Sequence, residues 1–201
     1  MSTATALVPT FLQDAYSMRY SVAQYQKMIE GGILTHDDKV ELLENYLVLK
    51  MPRNPPHDGT IMRLSKRLSR VLPEGWDLRN QSAVVLGDSQ PEPDLAIVRA
   101  SPDDYSTQHP GVRDVGLLIE VADSSLVRDQ RDKARIYGRA GVPVYWVVNV
   151  PLRQIEVHTA PTGPCDAPGY AAVAHFGPGD AVPLVLDGTL VASIAVADLL
   201  P

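Results

Sequence analysis

Apolar residues recur along the chain with two spacings, one typical of helices and one typical of buried strands. Residues 57–72 place Ile61, Leu64 and Leu68 on one face of a predicted helix. Residues 115–122 form instead a nearly continuous apolar run with a single carboxylate, as expected for a strand covered on both faces. The chain therefore predicts helices packed on a buried sheet.

The remaining patterns predict a single mixed α/β domain. Ser21 can cap a first helix, which Gly31 and Gly32 end. Residues 1–18 lack periodicity, so we expect a flexible leader followed by one domain over residues 19–201. We predict helices at 21–30, 57–72 and 128–140, a helical turn at 36–44, strands at 46–51, 76–86, 94–99, 115–122, 143–149, 153–159 and 170–176, and a last strand and short helix over 183–199. This order predicts a mixed central sheet flanked by helices, with extra C-terminal strands.

Composition and charge narrow the class of protein. The 201 residues are 45% apolar and 21% charged, as in ordinary globular domains. No apolar run approaches the roughly 20 residues that a membrane span needs, so we expect no membrane partner. The N-terminus shows no secretory signal and Cys165 is the one cysteine, which together favour the cytoplasm.

A net charge of −6 argues against strong non-specific binding to nucleic acid. It does not exclude a nuclease, because a bound divalent cation would locally reverse the sign of the charge. The one conspicuous basic cluster comprises Arg63, Lys66, Arg67 and Arg70. Its spacing favours the solvated face of a helix, with contact to nucleic acid as the alternative.

Three polar residues interrupt the buried patterns, and such interruptions are where function is expected. Glu120 lies inside a buried strand, where an unpaired carboxylate would be costly. Asp94 starts another strand after two prolines. Lys133 shares its helix face with the apolar residues Ile136 and Tyr137, so its ammonium is predicted to face the sheet and Glu120. The alternatives are a solvated strand end for Glu120, a turn-forming role for Asp94 and a solvent-seeking Lys133.

Two carboxylates and a lysine at one end of a sheet suit a hard cation such as Mg²⁺ or Mn²⁺. Such an ion can acidify a water molecule and neutralise charge on a phosphodiester, while the lysine stabilises the transition state. The pattern therefore favours metal-dependent phosphodiester hydrolysis. Two alternatives stay open: a nuclease fold that binds without turnover, and a carboxylate-pair hydrolase such as a glycosidase, which the 6% aromatic content disfavours.

Several motifs, in this order and spacing, resemble the Uma-two family of restriction endonucleases in the PD-(D/E)XK superfamily. They are ELLENYLV at 41–48, PPH at 55–57, PEPDLAIV at 91–98, LIEVADSS at 118–125, DKARIY at 132–137 and VYWVVN at 144–149. The resemblance runs from about residue 21 to the C-terminus. It implies a restriction-endonuclease-like αβββαβ core, Mg²⁺ (or Mn²⁺) as the cofactor, and DNA as the partner.

The resemblance also implies roles for individual residues. Asp94, Glu120 and the carbonyl of Val121 would hold the metal, and Glu41 would approach the site from the first helical segment. The superfamily lysine is expected two residues after Glu120, where this chain has alanine. In the Uma-two family the lysine comes from the next helix, and Lys133 matches that position. We therefore expect Asp94, Glu120, Lys133 and Glu41 to be catalytic in a magnesium-dependent endonuclease.

Three further expectations follow from the same comparison. Asn45 stands where the family usually has glycine, and asparagine can also adopt a left-handed turn. His57 matches a family position at a helix start, for which we predict a capping or structural role, with substrate contact as the alternative. By analogy with restriction-like nucleases we expect a homodimer, to which the C-terminal strands offer an interface.

Overall fold

The computed structural model describes residues 18–123 and 125–200. The leader predicted for residues 1–18 therefore lies outside the described residues, apart from Met18. The helices are α1 Val22–Glu30, α2 Pro55–Leu68, α3 Leu126–Arg128 and α4 Ala134–Ala140, with a π-helical turn Asp129–Lys133 between the last two. The strands are β1 Val40–Leu43, β2 Tyr46–Leu49, β3 Trp76–Asn80, β4 Leu95–Arg99, β5 Val115–Ala122, β6 Val144–Asn149, β7 Gln154–Pro161, β8 Tyr170–Phe176, β9 Ala181–Leu186 and β10 Thr189–Ala195.

Six strands form the central sheet in the order β3-β4-β5-β6-β7-β8. β5 and β6 are parallel, and the other neighbouring strands in this sheet are antiparallel. Parallel strands need a crossover connection, and α3, the π-helical turn and α4 supply it. The sheet is mixed and helices pack against it, so the predicted fold class is confirmed.

The hydrophobic core lies on both faces of this sheet. α2 and the β9–β10 hairpin cover one face, where Leu64 and Trp146 are fully buried. α4 and the β1–β2 hairpin cover the other face, with Leu43 and Tyr137 fully buried. Every residue of β5 is buried in consequence, as its apolar run predicted.

The helical turn predicted at 36–44 is wrong, because this segment contains β1. β1 pairs with β2 in a hairpin whose two turn residues, Glu44 and Asn45, have φ angles of 50° and 69°. Left-handed conformations at both positions are what a tight two-residue hairpin turn requires. Asn45 thus adopts the conformation expected of it, and Glu41 reaches the interior from a strand rather than from a helix.

Two other elements differ from the prediction. The strand predicted at 76–86 ends at Asn80, where β3 stops. The single strand predicted after residue 183 is the β9–β10 hairpin, closed by Asp187 and Gly188 with φ angles of 49° and 74°. Within the described part of the chain, no helix is long and apolar enough to cross a membrane.

Candidate active site

Asp94 and Glu120 lie side by side on neighbouring strands. In the antiparallel pairing of β4 with β5, Leu95 is opposite Ile119. Asp94 is the residue before Leu95 and Glu120 the residue after Ile119, so the two carboxylates occupy facing positions at the same end of the two strands. The strand begins one residue later than predicted, which leaves Asp94 at its entry.

Lys133 lies between two carboxylates in the interior. Its Nζ atom is 2.9 Å from Oε2 of Glu41 and 3.0 Å from Oε1 of Glu120. All three side chains are at most 8% exposed. The helix-face argument placed Lys133 toward the sheet, and the structure places it there, in the π-helical turn that precedes α4. π-Helical turns are rare in proteins, and many of those that exist lie at functional sites.

Each of the two facing carboxylates contacts the described part of the chain through one of its oxygens. Oε1 of Glu120 accepts hydrogen bonds from Lys133 and from the hydroxyl of Tyr137, the latter at 2.6 Å. Oδ2 of Asp94 accepts the backbone N–H of Val121 at 2.8 Å and contacts Nε2 of His57 at 3.2 Å. Among the described residues, no donor reaches Oε2 of Glu120 or Oδ1 of Asp94. One oxygen of each carboxylate therefore stays available for a ligand.

The electrostatics of the site follow from burial and close pairing. Burial raises the pKa of Glu120 above its ordinary value, and the nearby charge of Lys133 opposes that shift. Burial alone would lower the pKa of Lys133, but the charges of Glu120 and Glu41 outweigh it and raise the pKa, so the ammonium stays protonated. Burial also raises the pKa of Asp129 to about 6. The site thus holds more carboxylates than its one buried ammonium can neutralise.

These groups line one cavity of about 90 Å³. The five residues predicted for the site all border it: Glu41, Asp94, Glu120, Val121 and Lys133. The other lining residues are Lys50, Met51, Arg53, His57, Gln81, Glu92, Ser125, Arg128 and Asp129. The fold therefore brings every sequence-predicted site residue to one place.

His57 lies in the first turn of α2, at the helix start as predicted, but it does not cap the helix. The helix cap is Asn54, whose side-chain oxygen accepts the backbone N–H of His57. The His57 ring instead contacts Asp94. Burial lowers the pKa of His57, but its contacts with Asp94 and Asp58 outweigh that effect and raise the pKa overall. His57 therefore belongs to the site as a neighbour that fixes the orientation of Asp94.

Two residues of the site escaped the sequence-based prediction. Tyr137 was recognised only as part of an apolar helix face, although its hydroxyl reaches Glu120. Asp129 is buried and accepts a hydrogen bond from Ser125 at 2.5 Å. Both are four residues from Lys133 along the chain, a spacing that puts side chains on one helix face. This spacing from Lys133 could have predicted both residues from the sequence.

The oxygen atoms that could bind a metal here suit a hard cation that keeps part of its water shell. Within the described residues, no group of three His, Cys, Asp or Glu side chains converges to form a complete metal cage. Mg²⁺ is usually bound in proteins through one or two carboxylates, with several water molecules retained. Free oxygens on Asp94 and Glu120, next to the backbone of Val121, are a donor set of this kind.

Comparisons with known proteins point in one direction. The model of the Uma2 family, described as "Putative restriction endonuclease", matches residues 22–196. The fold is similar to the crystal structure of a protein titled a putative nuclease belonging to DUF820 from Anabaena variabilis, with a TM-score of 0.63. The two share 14% sequence identity, and the match covers 90% of this chain and 97% of that chain. At this identity the likeness shows a shared fold. No curated protein matches the chain.

Proposed function

This chain belongs to the Uma2 family, and from the geometry of its carboxylate–lysine cavity we propose that it is a divalent-metal-dependent endonuclease hydrolysing phosphodiester bonds in DNA. The observation that carries the proposal is the placement of Lys133 between Glu41 and Glu120, with Asp94 facing Glu120 across the strand pair. Family membership supports nuclease activity. The metal dependence and the DNA substrate go beyond family membership and are part of the proposal.

The free oxygens of Asp94 and Glu120, with the carbonyl of Val121, would hold the cation. Mg²⁺ or Mn²⁺ bound there would acidify a water molecule and offset negative charge on the phosphodiester. Glu120 is held in place by hydrogen bonds to Oε1, and Asp94 by hydrogen bonds to Oδ2. The carboxylates are thus oriented before any ligand arrives, which reduces the reorganisation required during the reaction.

Lys133 has one donor left for chemistry. A protonated lysine has three N–H bonds, and two of them are directed at Glu41 and Glu120. The third can donate to a phosphodiester oxygen or to the attacking water in the cavity that Lys133 borders. Glu41 keeps the ammonium protonated and fixed in position, and the backbone N–H of Glu92 donates to the same Glu41 oxygen at 3.2 Å. Glu41 therefore acts through the lysine.

Cleavage assays with metal titration test this proposal. The wild-type protein is incubated with supercoiled plasmid, single-stranded DNA and RNA in Mg²⁺, Mn²⁺ or EDTA. We expect cleavage of DNA with either ion and none with EDTA. The Asp94→Asn variant should lose at least about 100-fold in rate. Losing a residue that only supports a metal ligand already costs up to about 100-fold, and Asp94 is proposed as a ligand itself. Asp77→Asn changes an exposed carboxylate on β3 in the same way and should cleave normally.

Calorimetry with Mn²⁺ separates the function from its main alternative. The proposal requires Mn²⁺ binding by the wild-type protein and weaker binding by Asp94→Asn. Persistent cleavage by Asp94→Asn would contradict the assigned site. Mn²⁺ binding without cleavage of any of the three substrates would favour the nuclease fold as a binding module without turnover.

A further inference from the structure

The four cations that border the cavity fall into two classes. Lys133 contacts Glu41 and Glu120, and Lys50 forms an ion pair with Glu92. The two arginines bind neutral acceptors instead. These acceptors are the side-chain oxygen of Gln81 for Arg53 and, at 3.0 Å, the backbone carbonyl of Leu49 for Arg128. Within the described residues no carboxylate pairs with either arginine, so both keep a full positive charge available to an anion.

The two arginines approach the cavity from different segments of the chain. Arg53 directly precedes Asn54, the cap of α2, and the Asn54 side chain donates a hydrogen bond to Asp123 just beyond β5. Arg128 is the last residue of α3, on the crossover that carries Lys133. Arg53 also borders a neighbouring groove of about 940 Å³, which shares Lys50, Met51, Gln81 and Glu92 with the cavity. The cavity and the groove therefore adjoin on the side of Arg53.

A phosphodiester needs such cations to approach this cavity. The walls carry the carboxylates of Glu41, Asp94, Glu120 and Asp129, and the whole chain has a net charge of −6. One bound divalent cation offsets part of that negative charge, but it does not fix the direction of a strand on either side of the reacting phosphate. Guanidinium groups suit this task because they bind phosphate oxygens in a bidentate geometry and stay charged.

We propose that Arg53 and Arg128 bind backbone phosphates next to the reacting phosphodiester, with the strand running from the cavity into the groove beside Arg53. The inference rests on the proposed nuclease function and adds the residues that hold the substrate strand. Arg63 on α2 and Arg70 in the turn after it offer a matched comparison, because both are exposed and border neither the cavity nor the groove.

Fluorescence anisotropy measures binding separately from cleavage. Labelled single-stranded DNA, duplex DNA and RNA of one sequence are titrated with Asp94→Asn protein in Mg²⁺ at several salt concentrations. The Arg53→Gln/Arg128→Gln double variant is made in the same background. Each lost phosphate contact lowers the slope of log affinity against log salt by about 0.7 for a single strand or 0.9 for duplex DNA. If the parent and the variant bind equally at 1 M salt, two lost contacts correspond to a loss of roughly 25- to 60-fold at 0.1 M salt.

The control is Arg63→Gln/Arg70→Gln, which removes the same charge from exposed positions outside the cavity and the groove. We expect its affinity and salt slope to match the parent protein. Equal losses in both double variants would overturn the inference by showing a general charge effect, and an unchanged affinity in Arg53→Gln/Arg128→Gln would overturn it directly. Absence of binding to all three probes would overturn it as well. Cleavage by the wild-type protein is scored separately, so the nuclease function can stand when the arginine assignment fails.

Discussion

Replacing Lys133 by methionine should expose how much the buried ion pairs contribute to the fold. Methionine keeps the length and most of the volume of the side chain but removes the ammonium that Glu41 and Glu120 share. Both carboxylates then lie in the interior without a cation. Breaking a buried pair by removing one partner typically costs about 3–5 kcal/mol, against a total stability of roughly 5–15 kcal/mol for a domain.

The magnitude can be worked out for Glu120. Lys133 is the cation that lowers the pKa of Glu120 against the effect of burial, so the variant raises that pKa further. At pH 7.5 the folded variant must then bind a proton that the unfolded chain, with an ordinary Glu pKa of about 4.3, does not bind. This uptake costs about 1.4 kcal/mol for each pH unit above the unfolded pKa, or about 4 kcal/mol at pH 7.5.

The sign of the pH dependence follows from the same linkage. A carboxyl group whose pKa is higher in the folded state destabilises the fold above its unfolded pKa, and the penalty disappears as the pH falls toward that value. Urea unfolding followed by circular dichroism should therefore show the stability of Lys133→Met rising by about 1.4 kcal/mol per pH unit as the pH falls from 7.5 to 5. The wild type shares part of this slope, because burial already raises the pKa of Glu120 there.

Two controls make the result specific. Lys66→Met removes an exposed lysine of α2 and should change stability by no more than about 0.5 kcal/mol. Glu120→Gln combined with Lys133→Met removes the titrating group, so most of the lost stability should return and the pH slope should vanish. A Lys133→Met protein within 1 kcal/mol of wild type at pH 7.5, with no pH dependence, would refute the reasoning.

Three further substitutions test the local geometry. Tyr137→Phe removes the hydroxyl that donates to Glu120, so urea unfolding should show a loss of about 1.5–3 kcal/mol and steady-state kinetics a fall in kcat rather than a rise in KM; unchanged values for both would remove Tyr137 from the site. Gly138→Ala would bring a Cβ atom within 2.1 Å of the carbonyl oxygen of Gly169, and urea unfolding should show a loss of about 1–3 kcal/mol. Asn45→Ala forces alanine to a φ of 69°, and thermal unfolding should show it about 1–2 kcal/mol less stable than Asn45→Gly, which removes the same side chain; equal stability would mean that the turn tolerates any residue.

Local patterns were enough to predict the elements that carry most of the site. The apolar run of β5 marked Glu120 as an exception inside a buried strand, and the helix spacing placed Lys133 toward the sheet. These predictions held because burial on a strand or helix face depends on neighbours a few residues away in the sequence. The same reasoning failed for β1, where the left-handed turn at Glu44 and Asn45 produces a hairpin in place of the predicted helical turn.

The sequence by itself determined the fold class and the two buried faces, and it predicted a carboxylate–lysine site. Only the tertiary structure decided which atoms meet. Glu41 and Lys133 are 92 positions apart, and His57 and Asp94 are 37 apart. Contacts over such separations depend on strand register and on the packing of helices against the sheet. Periodicity records whether a side chain is buried, but it carries no information about the partner that the side chain meets in the interior.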